Sequence, residues 1–425
     1  MTTPGPDRSA LLGEFYRDLH RHPELATHEH RTAARIVAQL ADPAVEVTVG
    51  VGGTGVVAVL RNGPGPVVML RADMDGLPVA EATGLDYAST AYGRDPQGND
   101  VPIMHACGHD MHVACLVGAV WELSASRASW AGTVVAVFQP AEEIAAGARL
   151  MVDDGLFERF PRPDVILGQH VAPLPPGVVG YVPGIAMANA DLLVVRLFGR
   201  GGHGSRPEST VDPIVMAAAV VMRLQGVVAR ELLPSEPAVL TVGYIHSGVK
   251  ATVIPDMAEL GLSLRTFSEE SRDRALAAIR RIVSAEAAAS GADREAEVEL
   301  THRVPALLND EAVVSRTVER FADALGRDRV IAMEPVTASD DFGTLGRVSG
   351  APAFYWFFGG PATRGGPAVG IDQAAPSNHA PDFAPVIEST LGTGVTCLVT
   401  AAREWLGTPA EPDLPDVAAL AGRYA

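Results

Sequence analysis

The sequence predicts an α/β protein whose main domain is interrupted by a smaller α+β domain. In the first part of the chain, short apolar runs alternate with segments of helical periodicity, and this style returns near the end, as expected for a largely parallel sheet. Between these parts lie about 110 residues in the order strand–helix–strand–strand–helix–strand, the split βαβ pattern of a ferredoxin-like domain. The length of 425 residues fits two or three domains.

The main domain is expected in two pieces, residues 1–188 and 303–425. Its strands are recognised as continuous apolar or β-branched runs, and its helices by apolar spacing of three to four residues. The turn sequence Asn62-Gly-Pro-Gly-Pro66 separates the first two strands. The predicted helices are Ser9–Leu19, Glu29–Leu40, Val113–Leu123, Glu311–Leu325 and one from Ile387; the predicted strands are Val56–Leu60, Val67–Leu70, Thr133–Phe138, Val165–Leu167 and Ala353–Phe358.

The inserted domain is expected over residues 189–302, with Pro183–Asp191 as the linker that leads into it. The order of elements changes after this linker from the alternating style of the main domain. The predicted elements are the strands Leu192–Phe198, Ala238–Ile245, Ala258–Arg265 and Glu295–Thr301 and the helices Asp212–Ala229 and Ser268–Ser290.

Composition and charge exclude several classes of protein. The chain is 47% hydrophobic, so it can form sizeable cores, and its net charge is −18, which disfavours nucleic acids and anionic membranes as partners. Three cysteines do not make a disulfide framework and indicate a reducing compartment. The N-terminus has no signal-peptide pattern, and no apolar run approaches the ~20 residues of a membrane span. We therefore expect a cytoplasmic protein.

Five stretches concentrate cysteine, histidine and acidic residues at expected strand ends or loops. In an open α/β sheet, ligands gather at the carboxyl ends of the strands, so these distant stretches are expected to meet at one edge. The five stretches are Arg71-Ala-Asp-Met-Asp75, Met104-His-Ala-Cys-Gly-His-Asp-Met-His112, Phe138-Gln-Pro-Ala-Glu-Glu143, Gly168-Gln-His170 and Pro376-Ser-Asn-His-Ala-Pro-Asp-Phe383.

Thiolate, imidazole and carboxylate together make a ligand set that Zn²⁺ accepts. There are more candidate ligands than one tetrahedral ion needs, so two ions sharing a water molecule are possible. The adjacent Glu142 and Glu143 suit a division of labour in which one carboxylate binds metal and the other accepts a proton. Taken singly, Cys107, His105 and His112 are more often structural than ligating, and Glu-Glu pairs are commonly solvated; the co-occurrence of the five stretches favours the metal site.

These motifs resemble the M20 metallopeptidase family, and specifically its amidohydrolase branch. The resemblance runs from His20-Arg-His-Pro-Glu-Leu25 to His379-Ala-Pro-Asp-Phe383, and its most specific parts are Ala-Cys107-Gly-His109-Asp110 and Pro-Ala-Glu142-Glu143. It implies a zinc-peptidase-like catalytic domain with an inserted lid and dimerisation domain. It also implies two divalent metal ions, zinc or manganese in the first place, with cobalt or nickel as further options.

Roles follow from the resemblance, motif by motif. Glu142 corresponds to the general base and acid, and Asp75 to the carboxylate that orients a ligand imidazole. Asp73 stands where other branches have a ligand histidine and is left out of the ligand set. The residues that correspond to metal ligands are Cys107, His109, Glu143, His170 and His379.

The inserted domain carries a Gly-His motif that resembles the family's, with His203 as the donor to the oxyanion. In the family this histidine reaches a neighbouring active site, so a homodimer through the inserted domain is implied. A substrate carboxylate needs a cation, for which Arg265 and Arg206 are candidates. Thr252 stands where relatives commonly have asparagine and is a further candidate for substrate contact.

The main functional hypothesis is a metal-dependent amidohydrolase that cleaves a small-molecule N-acyl amino acid or a related amide. Metal-activated water would attack the carbonyl with Glu142 as the base. A dipeptidase or carboxypeptidase of the same fold is the second hypothesis. A non-catalytic metal-binding relative is the third, and the presence of Glu142 beside all five ligand candidates argues against it.

Overall fold

The computed structural model describes residues 8–361 and 375–409, which form two compact units. The first unit takes its described residues from 8–180, 315–331, 349–361 and 375–409, and the second comprises residues 181–314 and 332–348. Compared with the expected division at 1–188, 189–302 and 303–425, the second unit also takes residues 181–188, 303–314 and 332–348. As functional domains, the expected boundaries stay a prediction.

The first unit is built on a large mixed sheet. Its helices are α1 (Arg8–Arg21), α2 (His30–Gln39), α3 (His109–Ala125), α4 (Gly147–Asp153), α5 (Leu156–Arg159), α9 (Glu311–Leu325) and α11 (Ile387–Trp405). Its strands are β1 (Val45–Val51), β2 (Gly55–Asn62), β3 (Val67–Asp73), β4 (Tyr92–Arg94), β5 (Asp100–Pro102), β6 (Gly132–Gln139), β7 (Val165–Ala172), β8 (Val179–Tyr181), β17 (Val330–Ala332) and β18 (Ala353–Gly359). Helix α9 and strands β8 and β17 cross a boundary between the units.

The order of this eight-stranded sheet is β1-β2-β6-β3-β7-β18-β8-β17. Its centre is parallel, since β3 pairs in parallel with both β6 and β7, and β7 pairs in parallel with β18. Strands β6 and β18 are buried along their whole length, as expected for parallel strands covered on both faces. The carboxyl ends of β3, β6, β7 and β18 therefore meet at one edge of the sheet.

Helix α3 is central to the first unit. It is apolar nearly all round, and it is buried from His109 to Val120 among β3, β7, α1 and α11. Gly108 caps its start with φ of +80°, and a Cβ at this position would come within 2.4 Å of Val171 Cγ1. Glycine is therefore required where the cysteine- and histidine-bearing loop enters the helix.

The second unit is built on a four-stranded antiparallel sheet with helices on one face, and it also contains two short two-stranded sheets. The strands of the unit are β9 (Gly184–Met187), β10 (Asn189–Phe198), β11 (Gly202–His203), β12 (Ala238–Ser247), β13 (Val253–Ile254), β14 (Met257–Thr266), β15 (Glu297–Val304) and β16 (Leu307–Asn309). Its helices are α6 (Pro213–Leu224), α7 (Gly226–Glu231), α8 (Glu269–Ala289) and α10 (Phe342–Ser349), the last of which ends across the boundary.

The sheet of the second unit has the order β12-β14-β10-β15 with antiparallel neighbours, the order expected from a split βαβ pattern. Burial alternates along β14, so one face of the sheet packs on the apolar sides of α6 and α8. Strands β12 and β15 each have one neighbour in this order and form the two edges of the sheet.

Two local predictions are wrong. The expected linker Pro183–Asp191 contains all of β9 and the start of β10. The expected single helix Asp212–Ala229 is two helices, and the break falls beside Gly226, the residue type that most weakens a helix after proline. Within residues 8–361 and 375–409, none of the helices combines the length and hydropathy that crossing a bilayer requires.

Candidate active site

The parallel strands bring the acidic and histidine-bearing stretches to one sheet edge. Asp73 at the end of β3 lies opposite Gln139 at the end of β6, and His170 stands near the end of β7. The chain continues from β3 to Asp75 and from β6 to Glu143. The sequence expectation that these stretches meet is therefore met within the first unit.

The five proposed ligands form one cluster of donor atoms. Cys107 Sγ lies 3.4 Å from His170 Nε2. The ligand atoms of Cys107, Glu143 and His379 lie within 4.8 Å of one another, as do those of His109, Glu142 and Glu143. Glu143 belongs to both groups, since Oε1 is 3.7 Å from His109 Nε2 and Oε2 is 3.5 Å from His379 Nε2. One carboxylate thus faces two sets of donors.

Several of these atoms have no protein partner. Among the described residues, His109 Nε2 and Glu143 Oε1 are buried without a hydrogen bond, which costs about 1–3 kcal/mol for each polar atom. His170 donates its Nδ1 proton to Val171 O at 2.7 Å, so its Nε2 lone pair remains available beside Cys107. Buried nitrogen and oxygen atoms without a partner, gathered beside the Cys107 thiol and the His170 ring, fit a bound divalent metal.

The electrostatics of the cluster also favour a cation. Burial raises the pKa of Cys107 well above its ordinary range and raises the pKa of Glu143 to about 7. Burial alone would lower the pKa of His109, but the Asp73 carboxylate raises it well above the usual value. Burial thus disfavours the anionic forms of Cys107 and Glu143, and a bound cation would offset that cost.

Asp75 connects two of the proposed ligands. Its Oδ1 lies 3.1 Å from His109 Nδ1, and its Oδ2 accepts the backbone N–H of Glu143 at 2.9 Å. A proton held on His109 Nδ1 leaves Nε2 free to coordinate a metal. This geometry suits the orienting role expected for Asp75.

Asp73 and His112 are fully paired with protein groups. Asp73 Oδ2 accepts from Arg71 Nη1 at 2.7 Å, and Oδ1 accepts from His112 Nδ1 at 2.5 Å. His112 Nε2 in turn accepts the Val171 N–H at 2.8 Å, so neither ring nitrogen of His112 is left for a metal. The geometry supports leaving both residues out of the ligand set.

Sequence reasoning missed several residues that hold the site together. Asn378 donates to Val171 O at 3.1 Å and to Cys107 O at 3.3 Å, and so ties the His379 segment to β7 and to the cysteine loop. Arg71 bridges Asp73 and Gln139. In the sequence, only their positions could have indicated these roles. Asn378 directly precedes a proposed ligand, and Arg71 lies two residues before Asp73 on the same strand face.

The candidate substrate residues all belong to the second unit. His203 pairs with Val253 in the short β11–β13 ladder, and its Nδ1 accepts the Ser205 N–H at 3.1 Å, which leaves the proton of the neutral ring on Nε2. Arg265 is half-buried and donates to Ser339 Oγ at 2.6 Å, and burial lowers its pKa. Arg206 and Thr252 are exposed, and the Thr252 carbonyl accepts from the Gly204 N–H.

A model of the peptidase family M20/M25/M40 matches residues 69–404. The chain belongs to the M20 peptidase family. The resemblance seen in the sequence motifs is thereby confirmed, and this M20 protein is a hydrolase of amide bonds. The matched range contains every proposed ligand and Glu142.

Among the relatives of this M20 protein, the N-acetylcysteine deacetylase of Bacillus subtilis is 37% identical over 77% of the chain and 82% of that protein. The hippurate hydrolase of Campylobacter jejuni is 35% identical over 80% of the chain and 86% of that protein. The thermostable carboxypeptidase 1 of Saccharolobus solfataricus is also 35% identical, over 81% of the chain and 85% of that protein. Amidohydrolases and a carboxypeptidase thus lie at similar distance.

Solved structures agree with this assignment. A Bacillus subtilis protein, described as a dinuclear metal-binding peptidase of the M20 family, superposes with a TM-score of 0.75 at 30% identity. The match covers 94% of this chain and 99% of that one. The expected M20 fold, mixed α/β with a central mixed sheet, is confirmed.

Proposed function

We propose that this M20 protein cleaves the amide bond of N-acyl amino acids. The observation that carries the proposal is the cluster of unpaired donor atoms with the Glu142 carboxylate beside it, Oε2 lying 3.9 Å from His109 Nε2. Two of its relatives are named for acylated amino acids, an N-acetylcysteine deacetylase and a hippurate hydrolase. Both considerations support an amidohydrolase rather than a non-catalytic relative.

Cys107, His109, Glu143, His170 and His379 would hold two divalent metal ions. Zinc or manganese suits the mixed donor set best, with cobalt and nickel as alternatives. When bound, such ions polarise a carbonyl and lower the pKa of a water molecule toward 7. Replacing a thiolate by a weaker hydroxyl ligand in Cys107→Ser should lower the metal content after dialysis, measured by elemental analysis. Unchanged content would remove Cys107 from the ligand set.

In the proposed reaction, the oxygen of the attacking water bonds to the carbonyl carbon and Glu142 accepts its proton. Asp75 keeps His109 in the orientation and tautomer described above. His203, with its proton on Nε2, donates to the developing oxyanion, a contribution of about 3–4 kcal/mol in comparable sites. The C–N bond then breaks, and Glu142 delivers the proton to the leaving amine.

Arg265, Arg206 and Thr252 are the proposed contacts of the substrate carboxylate. Arg265 is favoured because its guanidinium is half-buried and donates a hydrogen bond to the neutral Ser339 hydroxyl, and among the described residues it has no carboxylate partner. Arg265→Ala should raise KM for acyl-amino acids at least tenfold, while the exposed Arg206→Ala serves as the comparison. An equal rise in KM in both variants would show that Arg265 is not the specific contact of the substrate carboxylate.

The deciding experiment is a hydrolysis screen of metal-stripped protein reloaded with single metal ions. N-acyl amino acids varied in both halves would be compared with free dipeptides and with peptides offering a C-terminal residue. Preference for acyl-amino acids supports the proposal, whereas preference for peptides supports the carboxypeptidase or dipeptidase alternative. One relative is named a carboxypeptidase. Inertness of fully loaded protein toward every class would favour the non-catalytic alternative.

We further propose that the second unit forms the interface of a homodimer. We also propose that this unit acts as a lid over the site. The edge strand β12 has an unpaired backbone edge, and apolar side chains nearby are exposed, among them Ile245 on β12 and Val215 and Met222 on α6. Light scattering should give a dimer for the wild type and a monomer for Val215→Glu. A cytoplasmic location, consistent with three free cysteines, would be tested by cell fractionation.

A further inference from the structure

The loop that carries Glu142 and Glu143 is held in an unusual backbone conformation. Ala141 has φ of +54° and Ala145 has φ of +49°, in the left-handed region that non-glycine residues rarely adopt. Such residues persist only when the surrounding structure fixes them. The two N–H groups that flank Glu142, those of Ala141 and Glu143, both donate to buried carboxylates.

One of these carboxylates is Asp75, which belongs to the site already described. The other is Glu29, which comes from the start of α2 and is fully buried. Glu29 Oε1 accepts the Ala141 N–H at 2.8 Å and the Thr27 N–H at 3.0 Å, and Oε2 accepts the Thr54 hydroxyl at 2.5 Å. A residue more than a hundred positions away thus fixes the backbone beside the general base.

The rest of the loop leaves little room for another arrangement. The Ala141 carbonyl accepts the N–H groups of Ala146 and Gly147, and the Glu142 carbonyl accepts the Ala145 N–H at 2.6 Å. A Cβ at Gly147 would lie only 1.5 Å from the Pro140 carbonyl oxygen. The turn is therefore closed on itself, and the Glu29 carboxylate ties the Ala141 backbone to the start of α2.

We infer that Glu29 is a positioning residue for the general base. It has no role as a ligand in the proposed mechanism, and it acts by holding Ala141 so that Glu142 and Glu143 leave the turn toward the donor cluster. The inference rests on the proposed function of Glu142. Displacement of a catalytic group by about 1 Å costs on the order of 100-fold in rate, so loss of this anchor should act on kcat.

The test compares Glu29→Ala and Glu29→Gln with the matched variant Glu24→Ala. Glu24 is a carboxylate of the same segment that accepts the Arg31 and Thr32 N–H groups of α2, and within the described residues it makes no hydrogen bond with the 140–147 loop. Glu29→Ala should lower kcat 10- to 100-fold with KM within about threefold. Glu29→Gln keeps an acceptor and should recover most of kcat. Glu24→Ala should lower the melting temperature without this loss of kcat.

A second measurement needs no substrate. Hydrogen exchange followed by mass spectrometry should show faster exchange of the 140–147 loop in Glu29→Ala than in Glu24→Ala, with both proteins folded. Thr54→Val, which keeps the carboxylate but removes one of its donors, should give a smaller effect and serves if Glu29→Ala does not fold. If the hydrolysis screen finds no substrate but hydrogen exchange of the 140–147 loop is faster in Glu29→Ala, the proposed function is wrong. The role of Glu29 in holding the loop is then still supported.

Wild-type loop protection in Glu29→Ala would overturn the inference. So would equal losses of kcat in Glu29→Ala and Glu24→Ala, because these would indicate a general effect on stability rather than an effect on the loop.

Discussion

Two clusters of histidines and carboxylates adjoin at the start of α3, and they differ in how their polar atoms are paired. His109 belongs to the donor cluster, where its Nε2 and Glu143 Oε1 are buried and have no hydrogen-bond partner among the described residues. The next residue, Asp110, belongs to a second cluster in which His20 Nδ1 lies 2.6 Å from Asp110 and His20 Nε2 lies 3.1 Å from Glu81. The same residue types thus leave polar atoms unpaired in one cluster and pair them with each other in the other.

The comparison teaches that residue type alone does not identify a metal ligand. In the second cluster every carboxylate faces a protein donor: Asp110 also accepts the Met111 N–H, and Glu81 accepts the Ser89 N–H. Burial acts against the charge of His20, but Asp110 and then Glu81 raise its pKa to about 9. The cation of this cluster is an imidazolium whose two ring nitrogens both face carboxylates, whereas His109 Nε2 in the donor cluster has no hydrogen-bond partner among the described residues.

The largest expected effect is a loss of kcat on replacement of Glu142 beside the donor cluster. Glu142→Gln removes the proton acceptor but keeps the size of the side chain, so kcat should fall roughly 10³- to 10⁴-fold. Metal content, measured by elemental analysis, should be unchanged. The exposed Glu158→Gln on α5 is the control and should retain full activity. Activity of Glu142→Gln near that of the wild type would remove Glu142 from its role.

The second effect concerns stability. His20→Gln leaves Asp110 and Glu81 buried without a cation, which should lower the free energy of unfolding by about 3–5 kcal/mol. The matched variant His22→Gln changes an exposed histidine and should cost less than about 0.5 kcal/mol. Urea denaturation at fixed metal concentration measures both. Equal midpoints for the two variants would contradict the structural role of His20.

The same pair predicts a pH dependence. His20 binds its proton more tightly when folded, with a pKa of about 9 against an ordinary value near 6.5. The protonated His20 therefore adds about 3 kcal/mol to the free energy of unfolding. This contribution is complete below pH ~6.5 and is lost as the pH rises through about 9. Asp110, Glu81, Tyr16 and Tyr87 face it, and burial raises the pKa of both tyrosines, that of Tyr87 to about 12. In His20→Gln, the free energy of unfolding should fall less steeply between pH 6.5 and about 9 than in the wild type. An equal dependence on pH in both proteins would show that His20 is not its source.

The smallest effect tests the carboxylate that joins two proposed ligands. Asp75→Asn can keep one acceptor oxygen but not both, so either His109 Nδ1 or the Glu143 N–H loses its partner. Metal affinity or kcat should fall about 10- to 100-fold. The exposed Asp86→Asn is the control, measured by competition with a metal-binding dye and by initial rates. Values for Asp75→Asn that match those of Asp86→Asn would show that Asp75 does not orient the ligands.

Strand ends were readable from the sequence because buried parallel strands are continuous apolar runs, as at Thr133–Phe138. The convergence of the cysteine, histidine and glutamate stretches followed from that. What could not be read was pairing: nothing in the sequence tells that both His112 nitrogens are occupied or that Glu29 reaches Ala141. Such contacts depend on three-dimensional closure across long separations, whereas local patterns report only neighbours. The β9 strand was missed for the same reason, since its partner β16 lies far along the chain.

The link from Asn378 to Cys107 spans 271 residues, and this separation sets an order of events in the cell. A ribosome adds roughly 5–20 residues per second, so the His379 segment emerges some tens of seconds to about a minute after the cysteine loop. Four proposed ligands are therefore made long before the fifth. Until then the nascent chain carries a partial, thiol-containing set of donors without its last histidine, so the complete proposed ligand set forms only late in the maturation of the protein.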